Sequence, residues 1–168
     1  MPDKKTLERV AKDKRQGKAA STQAGEFVRE EIEHIRHGTH GARSTEQAIA
    51  IGLSKARRAG VALKAPKAGT TSAATRAAAK RDLATGKHNG ARKHASSARS
   101  RAALKALKGE PHATVSKRAL AAHARVAARK HTAGERSAAA QKAVKTKGAA
   151  GRSTAARKAA RTRARRGS

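Results

Sequence analysis

The sequence predicts an all-α protein, with a small three-helix head followed by a basic, partly helical to disordered tail. Large apolar residues repeat at helical spacing mainly before Leu63, and the rest of the 168-residue chain is Ala, Lys and Arg broken by Gly or Pro. Aromatic residues make up 1% of the chain. So little apolar surface cannot offset the ordering of the whole chain, so we expect a core only in residues 1–65.

The head is predicted to contain three helices, each followed by a glycine. Ser21 or Thr22 is expected to cap the second helix. Ser44 and Gln47 have the spacing of a capping box, which would begin the third. The predicted helices cover residues 6–16, 21–37 and 45–59, and the glycines after them are Gly17, Gly38 and Gly60.

Each head helix is expected to have one apolar face. The apolar positions are Leu7, Val10 and Ala11, then Ala24, Val28, Ile32 and Ile35, then Ile49, Gly52, Leu53 and Ala56. Glu30 and Glu33 are predicted to lie on a solvated face of the second helix. Ile51 points away from the apolar face of the third, so these three residues are candidates for contacting a partner protein.

The tail, residues 66–168, is predicted to form helical segments separated by Gly or Pro. The segments cover residues 72–85, 92–108, 113–131, 135–147 and 153–166, and the breaks are Gly86, Gly90, Gly109 with Pro111, Gly134, and Gly148 with Gly151. Alanine favours helix, but isolated helices of this length are marginal in water. We therefore expect partial helix in the free tail and more helix when phosphates neutralise its charge.

Charge is distributed unevenly between the two predicted parts. Residues 1–65 carry 14 lysines and arginines against 8 acidic residues, a net charge of +6, whereas residues 66–168 carry 27 against 3, a net charge of +24. Such a tail indicates a polyanionic partner, double-stranded DNA above all, with RNA as the alternative nucleic acid. The cations predicted to contact phosphate are Arg43, Lys55, Arg57, Arg58, Arg76, Lys80, Arg81, Arg92, Lys93, Arg99, Arg101, Lys117, Arg118, Arg125, Arg129, Lys130, Arg152, Arg157, Lys158, Arg161, Arg163, Arg165 and Arg166.

Two resemblances support this prediction. The segment GARSTEQAIAIGLSKARRAG, with its lead-in from about residue 4, resembles an uncharacterised bacterial family often labelled plasmid-stabilisation or DNA-binding proteins. The resemblance covers residues 4–63 and implies DNA maintenance, without implying a mechanism or functional residues. The Ala- and Lys-rich tail is similar in composition to the C-terminal tails of linker histones and bacterial histone-like proteins, which implies binding to a polyanion.

Other modes of binding remain open at the level of sequence. The second and third helices could form a helix-turn-helix in which Gln47 pairs with an adenine and Arg43 meets a phosphate. The turn from Gly41 to Ser44 could bind one phosphate at a helix N-terminus. Base stacking is disfavoured because Phe27 is the one aromatic residue and is expected in the core. A ribosome-associated factor, or a protein-interaction module that the tail only localises, would look much the same.

No catalytic arrangement or cofactor motif is recognisable, so we predict a protein that is not an enzyme and binds no cofactor. Cysteine is absent from the chain. Glu30, His34 and His37 fall on one helix face with His40 in the next turn, where they could ligate a metal, but exposed histidines are commoner, and the prediction names no metal site. There is neither an apolar signal-peptide core nor an apolar run long enough for a membrane span. We therefore expect no membrane partner and a cytoplasmic, nucleoid location.

Overall fold

The protein is all-helical over the residues that the computed structural model describes, which are 2–87 and 97–166. No strand occurs in these ranges. The helices are α1 (Lys4–Arg15), α2 (Ala20–Arg36), α3 (Thr45–Arg58), α4 (Ala73–Lys87), α5 (Ser97–Lys108), α6 (Lys117–Arg129) and α7 (Ala133–Arg166), with a 3-10 turn at Ala113–Val115 between α5 and α6. The chain divides into two compact units, residues 1–123 and residues 124–168.

The buried face of α1 is not the predicted apolar stripe. Leu7 is 44% exposed and Ala11 is exposed, whereas Thr6 and Asp13 are buried and Val10 is partly buried against the core. Asp13 is tolerated there because its carboxylate accepts a hydrogen bond from Lys18 Nζ at 2.6 Å. Polar side chains with a satisfying partner therefore occupy the inner face of this short helix.

The start of α2 corrects the predicted cap, and its end confirms the predicted stop. Its N-cap is Ala19, with no side-chain hydrogen bond, so neither Ser21 nor Thr22 caps the helix. At the other end, Gly38 adopts a φ of +75° directly after the C-cap, His37. A left-handed residue is inexpensive only for glycine, which is why α2 ends at this point.

The capping box at the start of α3 is present. Ser44 is the N-cap and its Oγ accepts a hydrogen bond from the Gln47 backbone N–H at 3.2 Å. The Gln47 side chain reaches back one residue further than expected, because its Oε1 accepts from the Arg43 N–H at 2.6 Å. Farther along α3, Gly52 packs directly on α2: a Cβ on it would lie 2.6 Å from Val28 Cα.

The core consists of two small clusters. Ala24, Phe27, Ala56 and Val61 form the first, which confirms Phe27 as a core residue. Ile35, Ala42, Ala48 and Val115 form the second. Val115 comes from the 3-10 turn, far outside the predicted head. The second cluster therefore needs a residue from the region that composition assigns to the tail.

Residues 66–123 belong to the same compact unit as the head, so the structural division differs from the boundary predicted at residue 65. On α4, Ala79 is buried and Asp82 accepts a hydrogen bond from Ser54 Oγ at 2.6 Å. The 3-10 turn joins the α2–α3 loop through two hydrogen bonds: Thr45 Oγ1 donates to Thr114 O at 2.6 Å, and Thr114 Oγ1 donates to Ala42 O at 3.0 Å. Specific packing and hydrogen bonds thus fix this basic segment to α2 and α3.

Residues 124–168 form the second unit, and none of its described side chains is buried. Gly134 and Gly151 lie inside α7 rather than breaking it, while Gly148, with φ +64° and ψ 176°, interrupts the helix as predicted. A second capping box begins α7: the Glu135 N–H donates to Thr132 Oγ1, and the Thr132 N–H donates to Glu135 Oε2 at 2.8 Å. Local hydrogen bonds, and no buried side chain, define this helix.

None of the described helices is a candidate membrane span. Within residues 2–87 and 97–166, no helix combines the length and the apolar character that crossing a bilayer requires.

Candidate nucleic-acid interface

Two of the three cations at the end of α3, Lys55 and Arg57, are engaged inside the protein, which corrects the prediction that they contact phosphate. Arg57 is 7% exposed, and its Nε donates to the Leu63 carbonyl at 3.2 Å. Lys55 Nζ lies 2.5 Å from Glu31 Oε2. Arg58 Nε lies 3.7 Å from Asp82 Oδ1, although its side chain stays half-exposed. Burial or an internal partner removes Lys55 and Arg57 from the accessible set.

The turn before α3 is also engaged internally. The Gly41 N–H donates to Leu107 O at 2.8 Å, and the Ala42 N–H donates to Pro111 O at 3.2 Å. Both residues are buried, so neither N–H is free to bind a phosphate. The Gln47 side-chain oxygen already accepts a hydrogen bond from the Arg43 N–H in the capping box. Arg43 is the exposed residue of this group, and it stays a predicted phosphate contact.

An exposed carboxylate stands at the N-terminus of α3. Glu46 is 68% exposed, and its Oε1 lies 2.9 Å from His123 Nδ1. The pKa of Glu46 lies below its usual value, chiefly because its own backbone N–H in the first turn of α3 hydrogen-bonds the carboxylate, and also because His123 does. A negative charge at this position opposes the entry of a phosphate at the N-terminus of α3.

Most of the remaining predicted cations of the first unit lie on its surface. Arg76 is the exception, because it is partly buried and its Nε has no hydrogen-bond partner within the described part of the chain. Arg92 and Lys93 lie outside the described residues, and Arg99 belongs to α5. The exposed members are Lys80, Arg81, Arg101, Lys117 and Arg118.

The second unit presents the densest positive charge. Residues 124–168 carry 14 lysines and arginines against the single acidic residue Glu135. Arg166 ends α7. The predicted cations of this unit whose side chains are described are all exposed; they are Arg125, Arg129, Lys130, Arg152, Arg157, Lys158, Arg161, Arg163 and Arg165.

A cluster of carboxylates and imidazoles lies in the first unit, and three of its members, Glu30, Glu31 and His40, are buried. Glu30 and Glu31 are 1% and 0% exposed, so Glu30 is not on the solvated face predicted for it, whereas Glu33 stays half-exposed. The Nε2 atoms of His34 and His40 lie 3.3 Å from Asp3 Oδ2 and Glu31 Oε1 respectively. Glu30 Oε2 accepts from the Asp3 N–H at 3.2 Å.

The sequence predicted the members of this cluster only in part. It placed Glu30, His34 and His37 together by helical spacing, but His37 is exposed at the C-cap of α2. Glu31 and Asp3 were missed, because one follows another glutamate and the other is distant in sequence. The density of acidic residues and histidines around Gly38 is the sequence signal that could have indicated the cluster. Which of these side chains are buried is decided by the fold.

Comparison with protein-family models, with curated proteins and with solved structures yields no match. Functional inference for this chain therefore depends on its own residues.

Proposed function

We propose that this chain is a non-enzymatic, histone-like protein that binds double-stranded DNA largely without sequence specificity. One observation carries the proposal: the exposed, almost purely cationic surface of residues 124–168, with 14 basic residues and one acidic residue. Lysines and arginines on such a surface neutralise phosphates and release condensed counterions, which supplies affinity that does not depend on sequence.

The accessible cations of the first unit support the same function. Lys80, Arg81 and Arg101 are exposed on helices α4 and α5, and Lys117 and Arg118 are exposed at the start of α6. Residues 1–65 contribute little, because their charge is nearly balanced and two of their predicted cations are engaged internally. In this proposal residues 124–168 supply most of the affinity for DNA, and residues 1–65 supply little of it.

The setting of this activity is part of the proposal. We propose a setting at the nucleoid, in plasmid or chromosome maintenance, which the resemblance of residues 4–63 to bacterial proteins labelled plasmid-stabilisation or DNA-binding supports. A ribosome-associated RNA factor presents the same cationic surface, and it is the alternative that the binding experiment must separate.

The experiment compares two variants of the full-length chain, each with four cations replaced by Gln. The first changes Arg157, Lys158, Arg161 and Arg163 on α7; the matched control changes Lys4, Lys5, Lys12 and Lys14, which are exposed on α1. Each phosphate contact contributes about 0.9 to the slope of log affinity against log salt, so the α7 variant is expected to lose about 3 to 4 units of slope.

Binding is measured by titrating duplex DNA and structured RNA at several salt concentrations. The control variant should keep the slope of the wild-type protein. Equal slopes for the two variants would contradict the assignment of the interface to α7. Tighter binding to structured RNA than to duplex DNA at every salt concentration would replace the DNA proposal with the RNA alternative.

A further inference from the structure

Five side chains that can ligate a metal converge from three segments of the first unit. Asp3 precedes α1, Glu30, Glu31 and His34 lie on α2, and His40 lies in the loop before α3. One ligand atom from each of Glu31, His34 and His40 lies within 4.8 Å of the others, and Asp3, Glu30 and His34 form a second such group. His34 is common to both groups, so the five side chains surround one small region.

The hydrogen bonding of His40 leaves two acceptors facing each other. Its Nδ1 lies 3.1 Å from the Gly41 carbonyl oxygen, and because that oxygen can only accept, Nδ1 carries the hydrogen in this contact. In a neutral ring, Nε2 then presents a lone pair, and it lies 3.3 Å from Glu31 Oε1. Metal-bound histidines characteristically donate their other ring N–H to a carbonyl in this way.

The carboxylates are buried without enough hydrogen-bond donors. Glu31 Oε1 and Glu30 Oε1 are both inaccessible to solvent and have no hydrogen-bond partner among the described residues. Leaving a carboxylate oxygen buried and unpaired is costly, and native proteins rarely do so without a ligand, a water or an ion. His40 Nε2 lies 3.3 Å from Glu31 Oε1 and Lys55 Nζ lies 4.0 Å from Glu30 Oε1, but neither oxygen accepts a hydrogen bond from a described residue, which indicates that further positive charge belongs in this region.

The charge balance indicates how much positive charge is missing. Asp3, Glu30 and Glu31 carry three negative charges. Lys55 supplies one positive charge, with its Nζ 2.5 Å from Glu31 Oε2 and 4.0 Å from Glu30 Oε1. When the imidazoles are neutral, one buried negative charge remains, and Asp3, whose side chain is 59% exposed, adds a second; one dication compensates both.

We propose that Glu31, His34 and His40 bind one zinc(II) ion, with Asp3 and Glu30 adjacent to it. Zinc accepts imidazole nitrogen and carboxylate oxygen, and it binds through two histidines and one glutamate in known protein sites. The ion joins α2 to the loop before α3 and, through Asp3, to the segment before α1. Because its ligands come from separate segments, binding the metal also stabilises the fold.

The test uses the full-length chain, stripped of metal with a chelator and freed of nucleic acid. Zinc is titrated in competition with a chromophoric chelator at pH 7.5, and thermal unfolding is followed by circular dichroism with and without zinc. The proposal predicts one tight site per chain and a higher unfolding midpoint with zinc. No tight binding, or an unchanged midpoint, contradicts it, since protonated histidines would then balance the charge.

Variants locate the site. His34→Gln and His40→Gln are each expected to weaken zinc binding by at least about 100-fold and to abolish the shift in midpoint. Asp3→Asn, which changes a neighbour of the ligands, should weaken binding by about 10-fold. The matched control is His37→Gln, an exposed histidine at the end of the same helix, which should bind zinc as the wild-type protein does.

Zinc that binds with several equivalents per chain, or that is insensitive to the changes at His34 and His40, sits on surface histidines and overturns the proposal. If a variant loses its helicity, X-ray absorption at the zinc edge of the wild-type protein decides instead. Two imidazole nitrogens with carboxylate oxygen support the site. A shell of water oxygens, or of more than two imidazoles, contradicts it.

Discussion

Residues 66–123 and 124–168 have similar compositions, but their side chains are buried to different degrees. Both are rich in Ala, Lys and Arg, with 13 and 14 basic residues respectively, and neither contains an aromatic residue. In the first region, Ala79 and Val115 are buried, and Thr114 and Asp82 hydrogen-bond to partners in the α2–α3 loop and on α3. In the second region, no described side chain is buried.

Composition therefore does not decide whether a basic segment packs against the rest of the protein. A few residues of the first region decide it. Val115 completes a core cluster, Thr114 both donates and accepts a hydrogen bond, and Asp82 lies opposite Ser54 and Arg58. Where these are lacking, the helix has only local hydrogen bonds and capping, and its cations stay available to a polyanion.

The largest expected effect is from Gly41→Ala, which would break the packing of the first region. A Cβ on Gly41 would lie 1.8 Å from the Glu110 carbonyl oxygen, so the loop after α5 must move away. We expect a loss of about 3 kcal/mol in the free energy of unfolding, measured by urea titration with circular dichroism.

Gly134→Ala, inside α7, is the control for this change. The nearest atom to its added Cβ is Thr132 Oγ1 at 4.0 Å, an ordinary contact, so stability should be unchanged or rise by up to about 1 kcal/mol. A loss for Gly134→Ala as large as that for Gly41→Ala would show that the two regions are not distinct.

A second, smaller effect is expected from a matched pair of valines. Val115 is fully buried with Ile35, Ala42 and Ala48, so Val115→Ala should cost about 2 kcal/mol of unfolding free energy. Val144 is 46% exposed on α7, so Val144→Ala should change stability by less than about 0.5 kcal/mol. Urea titration of both variants measures the difference, and equal effects would contradict the assignment of Val115 to the core.

The smallest expected effect distinguishes two exposed carboxylates by pH. The pKa of Glu46 is lowered by its own backbone N–H and by His123, and the pKa of Glu135 is lowered by the Thr132 N–H. A lowered folded-state pKa stabilises the protein above the unfolded value of about 4.3, and this contribution disappears as the pH falls through the folded value. Exposure keeps both contributions small.

Glu46→Gln should therefore reduce the stability of the first unit at neutral pH slightly and flatten its decline below about pH 4.3. Glu135→Gln should leave that unit unchanged, because Glu135 bonds only locally in the described structure. Thermal unfolding at a series of pH values measures both. Identical acid profiles for Glu46→Gln and the wild-type protein would refute a role for the long-range contact with His123.

Local chemistry made part of the fold predictable. The capping box of Ser44 and Gln47 and the left-handed stop at Gly38 are decided by groups within four residues, and the structure has both. The cap proposed at Ser21 or Thr22 was wrong because α2 begins earlier, at Ala20, after the N-cap Ala19, which makes no side-chain hydrogen bond. The apolar stripe on α1 was wrong because the inner face of that helix accepts polar residues that have partners, such as Asp13.

The candidate sites were also predictable from the sequence only in part. The exposed cations of residues 124–168 could be identified from sequence, because a segment with 14 basic residues and one acidic residue has too few acidic groups to neutralise them. The internal roles of Lys55 and Arg57 could not, since the packing of α2 on α3 brings Glu31 to Lys55, and the course of the chain after α3 brings the Leu63 carbonyl to Arg57. The cluster around His34 and His40 also needed the fold, because Asp3 is 31 residues from His34.

The helical class, the cap at Ser44, the stop at Gly38 and the concentration of positive charge toward the C-terminus could be predicted from the sequence, because they depend on neighbouring residues and on composition. Only the tertiary structure decided that Val115 completes a core cluster and that Glu30 and Glu31 turn inward. The physical reason is that burial depends on what packs opposite a side chain, and contacts such as Thr45 with Thr114 join residues far apart in the chain.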